Sequence, residues 1–180
     1  MHSTPRRWLL RDRTADAHAA VDAAIGGFDD LSGYRTYLKA LAAFRAPIEQ
    51  QLGALAWPDT LGGWRPNHVS AALAQDMDDL SITPDPSAAS VLRLDGARLY
   101  GTLYVLEGSA LGARLLFQRA QTLGLSADYG ARHLALLGGS IEGWRGFLAC
   151  LEEADPFEID DAVEASVAAF ALARAAFVAR

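Results

Sequence analysis

An all-α, single-domain helical bundle is the fold class this sequence predicts, on three observations. Ala, Leu, Arg and Glu dominate every long segment, while residues suited to strands are sparse. Apolar residues recur at intervals of three and four rather than two, the period of a helix face. The chain has 180 residues, 51% of them apolar and 21% charged, which fits one compact domain and neither a disordered nor a collagen-like chain.

The elements follow in order. Leu10, Thr14, Ala17, Val21 and Ala24 repeat at spacings of 4, 3, 4 and 3, so a first helix is expected from about Pro5 to Ala24, ended by Gly26 and Gly27. Ser32 is the expected N-cap of a second helix, with Tyr34, Leu38, Leu41, Ile48, Leu52 and Leu55 on one face and a kink at Pro47. The stretch from Trp57 to Asn67, with two prolines and two glycines, has the composition of a loop. A short helix from about His68 to Leu80 follows. Pro84 and Pro86 mark a break before a longer helical region from about Ala88 to Leu123, interrupted near Asp95 and Gly96. Further helices are expected at about Ala127 to Leu137, Ser140 to Glu153 and Asp160 to Ala179, the last with Val163, Val167, Phe170, Arg174 and Phe177 in register. There is no internal repeat, low-complexity tract or second-domain linker.

Charge and cysteine content narrow the function. Sixteen basic residues stand against 22 acidic ones, a net charge of −6 and the wrong sign for a general nucleic-acid binder. Fifteen of the basic residues are Arg and one is Lys39, a skew that fits genomic base composition. Cys150 is the single cysteine, so neither an intrachain disulfide nor a cysteine-based zinc site is available. The N-terminus lacks a secretory pattern, and no apolar run reaches a membrane span, so a cytoplasmic protein with no membrane partner is expected.

Two constellations carry candidate chemistry. Arg11, His18 and Asp22, at spacings of 7 and 4, fall on one stripe of the first helix beside its apolar stripe. An imidazole there suits a metal or haem iron, with Asp22 one turn on to orient it and Arg11 two turns back to meet an anion. The same triple also reads as a solvated face with a weak ion pair. The second constellation is Gly101, Tyr104, Gly108, Ser109 and Gly112 within a strongly helical segment. Each interior glycine costs about 0.8 to 1 kcal/mol relative to alanine, so the bare backbone must be used. Either a neighbouring helix packs on it, or a flat ligand lies against it or a kink opens over it.

The run Tyr104-Val-Leu-Glu-Gly-Ser-Ala-Leu-Gly112, taken with the pattern Leu-Arg-x-x-Thr-x-x-x-His-x-x-x-Asp over residues 10–22, resembles the bacterial haem oxygenases, especially those associated with bacteriophytochromes. The resemblance covers most of the chain, including the Trp144-Arg145 region and the order of helices. It implies His18 as proximal iron ligand, Asp22 as the acidic support of that histidine, and Arg11, Tyr104 and Arg145 as partners of the haem propionates. Gly108 and Gly112 match the distal glycines that let the helix bend over the haem face. Ser109 stands where the animal enzymes carry an aspartate that organises distal water. The sequence departs from the pattern at Ala113, where many relatives have another glycine, and over Ala131 to Gly139, which lacks the aromatic pair expected before the late helix.

The implied activity is oxidative cleavage of haem to biliverdin with release of carbon monoxide and iron, haem being both substrate and cofactor. Electrons must come from a separate reductase, because the chain has no G-x-G-x-x-G motif for its own. A bacteriophytochrome is the implied recipient of biliverdin. The alternative is a haem-binding or protein-interaction module on the same scaffold without turnover. Other chemistry finds less support. His2, His68 and His133 lack a second ligand one turn away, neither H-E-x-x-H nor a Glu-x-x-His repeat occurs, and Cys150 falls on an apolar helix face. Trp8, Trp57, Trp64 and Trp144 read as packing residues, with Trp144 able to border a pocket.

Overall fold

Small residues on the last helix decide how closely its neighbours approach. The computed structural model describes residues 4–84 and 91–179, so His2, Pro86 and the expected helix start at Ala88 lie outside the described residues. Helix α9, Ile159–Val178, buries Ala162, Ala165, Ser166, Ala169 and Ala173 together with Val163, Phe170 and Phe177. Helix α1 (Arg6–Arg13), α2 (Ala15–Ile25), α3 (Leu31–Gly53) and α5 (Ala97–Gly108) all pack on it. The α5 contact is the tightest. A Cβ on Gly101 would lie 2.0 Å from the Ala162 carbonyl oxygen, and Ser166 Oγ donates to the Gly101 carbonyl at 2.9 Å. Val167 and Arg174, expected in the buried register, face outward instead, because the stripe drifts onto Ser166 and Ala173 where small side chains fit the close approach.

The remaining helices are α4 (Ser70–Asp79), α6 (Ala110–Thr122), α7 (Arg132–Gly138) and α8 (Ile141–Glu153), with a short 3-10 turn at Asp59–Leu61. Among the described residues there is no β-strand, only isolated bridges at Ser126. Several expected boundaries move. The first helix is two, because Thr14 leaves helical geometry (φ −112°, ψ 5°) while its hydroxyl donates to the Leu10 carbonyl at 2.8 Å. The N-cap of α3 is Asp30 rather than Ser32, its carboxylate accepting from Gly33 N at 2.7 Å. Helix α3 continues through Pro47. The expected helix from Ala127 begins only at Arg132, after a turn closed by Ser126 and Tyr129 in which Gly130 takes φ 71°.

Two acidic side chains cap helices from a distance. Glu49 of α3 accepts from Val69 N, Ser70 N and Ser70 Oγ at the start of α4. Asp76 of α4 accepts from Arg132 N and His133 N at the start of α7. Each places a negative charge on otherwise unpaired amides at a helix N-terminus. The other end of α8 is closed by Arg6, whose guanidinium donates to the carbonyls of Leu151, Glu152, Ala154 and Asp155 and lies 4.3 Å from the Phe157 ring centroid.

Candidate functional site

Helices α2 and α5 both lean on α9; His18 and Asp22 stand on α2, Tyr104 and Gly108 on α5, and Arg11, Gly112 and Arg145 on α1, α6 and α8. The His18 side chain is 61% exposed, with Nδ1 3.3 Å from Asp22 Oδ2, as the one-turn spacing predicts. Phe170 of α9 meets the imidazole edge-on at a centroid distance of 5.5 Å and sets the ring's seat. One nitrogen is thus turned to a carboxylate and the other is left for a ligand.

The glycines of the second constellation divide by role. Gly101 is a packing glycine, as the Ala162 contact shows. Gly112 is exposed, and a Cβ there would meet nothing within 4 Å, so helix packing does not account for it. Gly108 is half-buried, and its Cβ would find only the Trp144 ring, at 3.9 Å. Between them the helix breaks: α5 ends at Gly108, α6 starts at Ala110, and Ser109 Oγ donates to the Leu106 carbonyl at 2.6 Å. Ser109 itself is exposed. On the outer side of α6, Leu111 and Leu115 are 58% and 67% exposed, an apolar pair one turn apart next to bare backbone.

The wall beside Gly108 is aromatic. Tyr104 packs on Trp144 at 5.6 Å between centroids, Trp144 on Phe147 at 5.9 Å, and Trp64 on Phe147 at 5.4 Å. Burial pushes the Tyr104 hydroxyl's pKa up, and Arg11 is near enough to pull it back, so the structure brings Arg11 and Tyr104 into electrostatic reach. Arg11 also lies over the Trp8 ring, 5.4 Å from its centroid. Arg145 stands apart: it is exposed and paired with Glu142 of its own helix at 2.6 Å. The departure at Ala113 is a buried position, and Ala131 is fully buried as well.

Relatives of the chain carry one name. It is 38% identical over 107 residues to Heme oxygenase PigA of Pseudomonas aeruginosa, a match spanning 57% of this chain and 54%, about half, of that protein. It is 30% identical over 129 residues to the heme oxygenase of Xanthomonas campestris pv. campestris, covering 71% of this chain and 76% of that one. The chain belongs to the haem oxygenase family. No family model matches it. Its fold is that of the NO- and CO-bound heme oxygenase from Neisseria meningitidis, with a TM-score of 0.76, 24% identity, and 98% and 94% of the two chains covered.

The residues present fit the haem of a haem oxygenase on observations made within this chain. The iron needs an accessible imidazole, which His18 provides. The flat macrocycle needs backbone free of side chains, which Gly112 and the Gly108–Ser109 break provide. Its carboxylates need cations or hydroxyls, which Arg11 and Tyr104 provide.

Among other histidines, His133 is fully buried with Nδ1 2.8 Å from Asp76 Oδ2, whereas His68 is exposed. Cys150 is half-buried, its Sγ 3.6 Å from the Leu61 carbonyl, and burial raises the thiol's pKa, as befits a packing residue. Among the described residues no helix is long and apolar enough to cross a membrane.

Sequence reasoning missed a buried polar group behind this site. Arg45 and Glu49 of α3 and Glu107 of α5 are 1%, 4% and 1% exposed, and Arg45 Nη1 donates at 3.2 Å to the carbonyl of Leu106, two residues before the end of α5. A signal existed: Leu41, Arg45, Ile48 and Leu52 are spaced 4, 3 and 4, placing an arginine on an apolar stripe. Glu107 likewise ends the apolar run from Leu103.

Proposed function

We propose that this chain binds haem through His18 and cleaves it oxidatively to biliverdin, releasing carbon monoxide and iron with electrons from a separate reductase. One observation carries the reading: an exposed imidazole braced by Asp22 and Phe170 on α2, with bare backbone at Gly108 and Gly112 on α5 and α6, in a member of this family. Bound haem supplies the iron at which dioxygen is reduced and the ring that is cut.

The chain's own groups have separate tasks. Asp22 favours the tautomer with the proton on Nδ1, which leaves the other nitrogen of His18 as a neutral donor. Arg11 and Tyr104 orient carboxylates at the pocket edge, and Arg145 joins them after giving up Glu142. Gly108 and Gly112 admit the ring close to backbone. Ser109 keeps its hydroxyl on the Leu106 carbonyl and so holds the break open. Tyr104 and Trp144 form one wall, and Leu111 and Leu115 supply apolar surface that keeps bulk water from the reacting edge. The bacteriophytochrome-associated branch is the reading we favour, with biliverdin passed to a phytochrome in the cytoplasm.

Adding haemin and recording the Soret band tests binding, and adding ascorbate or a reductase tests turnover by the appearance of biliverdin absorption. Stoichiometric binding with haem left intact under both donors would instead make the chain a binding module.

A further inference from the structure

Behind the helix break lies a buried group of three ionisable side chains whose charges can be assigned from their contacts. Arg45 Nε is 2.9 Å from Glu49 Oε1, and the guanidinium also donates to the carbonyls of Leu106 (3.2 Å) and Asn67 (3.1 Å). Glu49 accepts from Val69 N, Ser70 N and Ser70 Oγ and is ion-paired with Arg45. Glu107 differs. Its Oε1 accepts from Asn67 N at 3.1 Å, while Oε2 is buried with no hydrogen-bond partner. The one cation is already matched by Glu49, so a second buried anion here would be uncompensated.

We propose that Glu107 is a positioning residue of the haem site: it keeps its proton at neutral pH and, as a neutral acid, latches the last turn of α5 to the 57–69 segment. The break at Ser109 is thereby held in place from behind. Arg45 grips the carbonyl of Leu106, Glu107 grips the amide of Asn67, and both act on residues immediately before Gly108. On the α8 side, a Cβ on Gly143 would lie 2.5 Å from Ser140 Oγ and 3.1 Å from Asn67 Nδ2, so that glycine makes room for the Asn67 side chain that neighbours the acid. Asn67 Nδ2 in turn donates to Ser140 Oγ.

The groups facing Glu107 are Arg45 and Glu49 from α3 and Asn67 from the 57–69 segment; His68, beside Asn67, is exposed. Burial pushes the Glu107 carboxyl's pKa up and Glu49 adds to the push, while Asn67 and Arg45 pull the other way.

The latch rests on the haem reading only for what the pocket holds, and its first test needs no haem. Infrared spectra of the protein without haemin at neutral pH should contain a protonated-carboxyl C=O stretch that Glu107→Gln removes. Glutamine keeps the acceptor for Asn67 N–H and should leave haemin affinity within about twofold of the parent. Glu107→Leu removes the acceptor and should shift the ferric Soret band and weaken haemin binding about tenfold. Ser166→Ala, which loses one bond from α9 to α5 and one within α9, both away from the break, should lower the melting temperature without that loss of affinity. An unchanged carboxyl band in Glu107→Gln overturns the neutral acid. Parental haemin affinity in Glu107→Leu, or an equal loss in Ser166→Ala, overturns the positioning role. If the parent protein itself binds no haemin, the functional reading fails while the infrared result still decides the protonation state.

Discussion

His18 makes few packing contacts beyond the edge of Phe170 and is largely open to solvent, so its removal tests ligation with little disturbance to the core. His18→Ala should change apo stability by no more than about 0.5 kcal/mol, the range of surface substitutions. It should also convert the ferric haem spectrum to one without histidine ligation. His133 cannot take over while it is fully buried on Asp76, so an unchanged spectrum would direct attention to His68. The pair of His18 and Asp22 was legible in the sequence because one-turn spacing alone brings the two together on α2, whereas Arg11, expected on the same stripe, stands on α1 because Thr14 divides the expected helix. Arg45 and Glu107 were not legible. Their meaning depends on Asn67, a loop residue remote in sequence from both, and local periodicity says nothing of which loop folds over which helix. The same limit hid the role of Gly101, whose need for a bare backbone comes from Ala162 on α9.

Two glycine substitutions separate packing from access. Gly112→Ala adds a methyl in open space on α6, so helix propensity predicts a gain of up to about 1 kcal/mol in stability. If the haem lies against that backbone, the methyl crowds it and biliverdin yield per folded molecule falls. Gly108→Ala should behave alike with a smaller gain, because it ends α5 and meets the Trp144 ring at 3.9 Å. Gly101→Ala should do the reverse. Its methyl would sit 2.0 Å from a carbonyl oxygen, forcing α5 from α9 at a cost of about 1 to 3 kcal/mol or more. Thermal melts and yield on all three variants check the division, and parental yield in Gly112→Ala would reject its pocket role. The helices themselves were readable from period and composition, and the glycine run offered a kink near Gly108, but the break at Thr14 was not readable. Thr14 leaves helical dihedrals whereas Ser109 keeps them (φ −62°, ψ −21°), and each hydroxyl bonds the carbonyl three or four residues back.

For the whole molecule, the buried ionisable groups predict how stability varies with pH. His133 has its pKa lowered chiefly by burial, with Asp76 acting the other way, so on acidification the unfolded chain takes up a proton before the folded one does. That stability is present above about pH 6.5, the ordinary histidine value, and is lost as pH falls below it toward the folded pKa. Asp76 adds a second acid limb. Its pKa is lowered by bonds from His133 and Arg132 against the opposing effect of burial, so its contribution fades as pH falls below about 3.9 toward the folded pKa. Glu107 works in the opposite sense, because its raised pKa means the folded state holds a proton that the unfolded state has released. Its penalty therefore grows as pH rises above about 4.3, the ordinary glutamate value, and levels off once the folded group ionises. A stability maximum on the acid side of neutrality follows. Glu107→Gln should flatten the decline on its alkaline side, while Asp76→Asn should lower stability throughout by removing an acceptor for Arg132 and His133 at the start of α7. Urea midpoints measured across pH on the parent and both variants check this, and an alkaline limb unaffected by Glu107→Gln would assign that limb to another group.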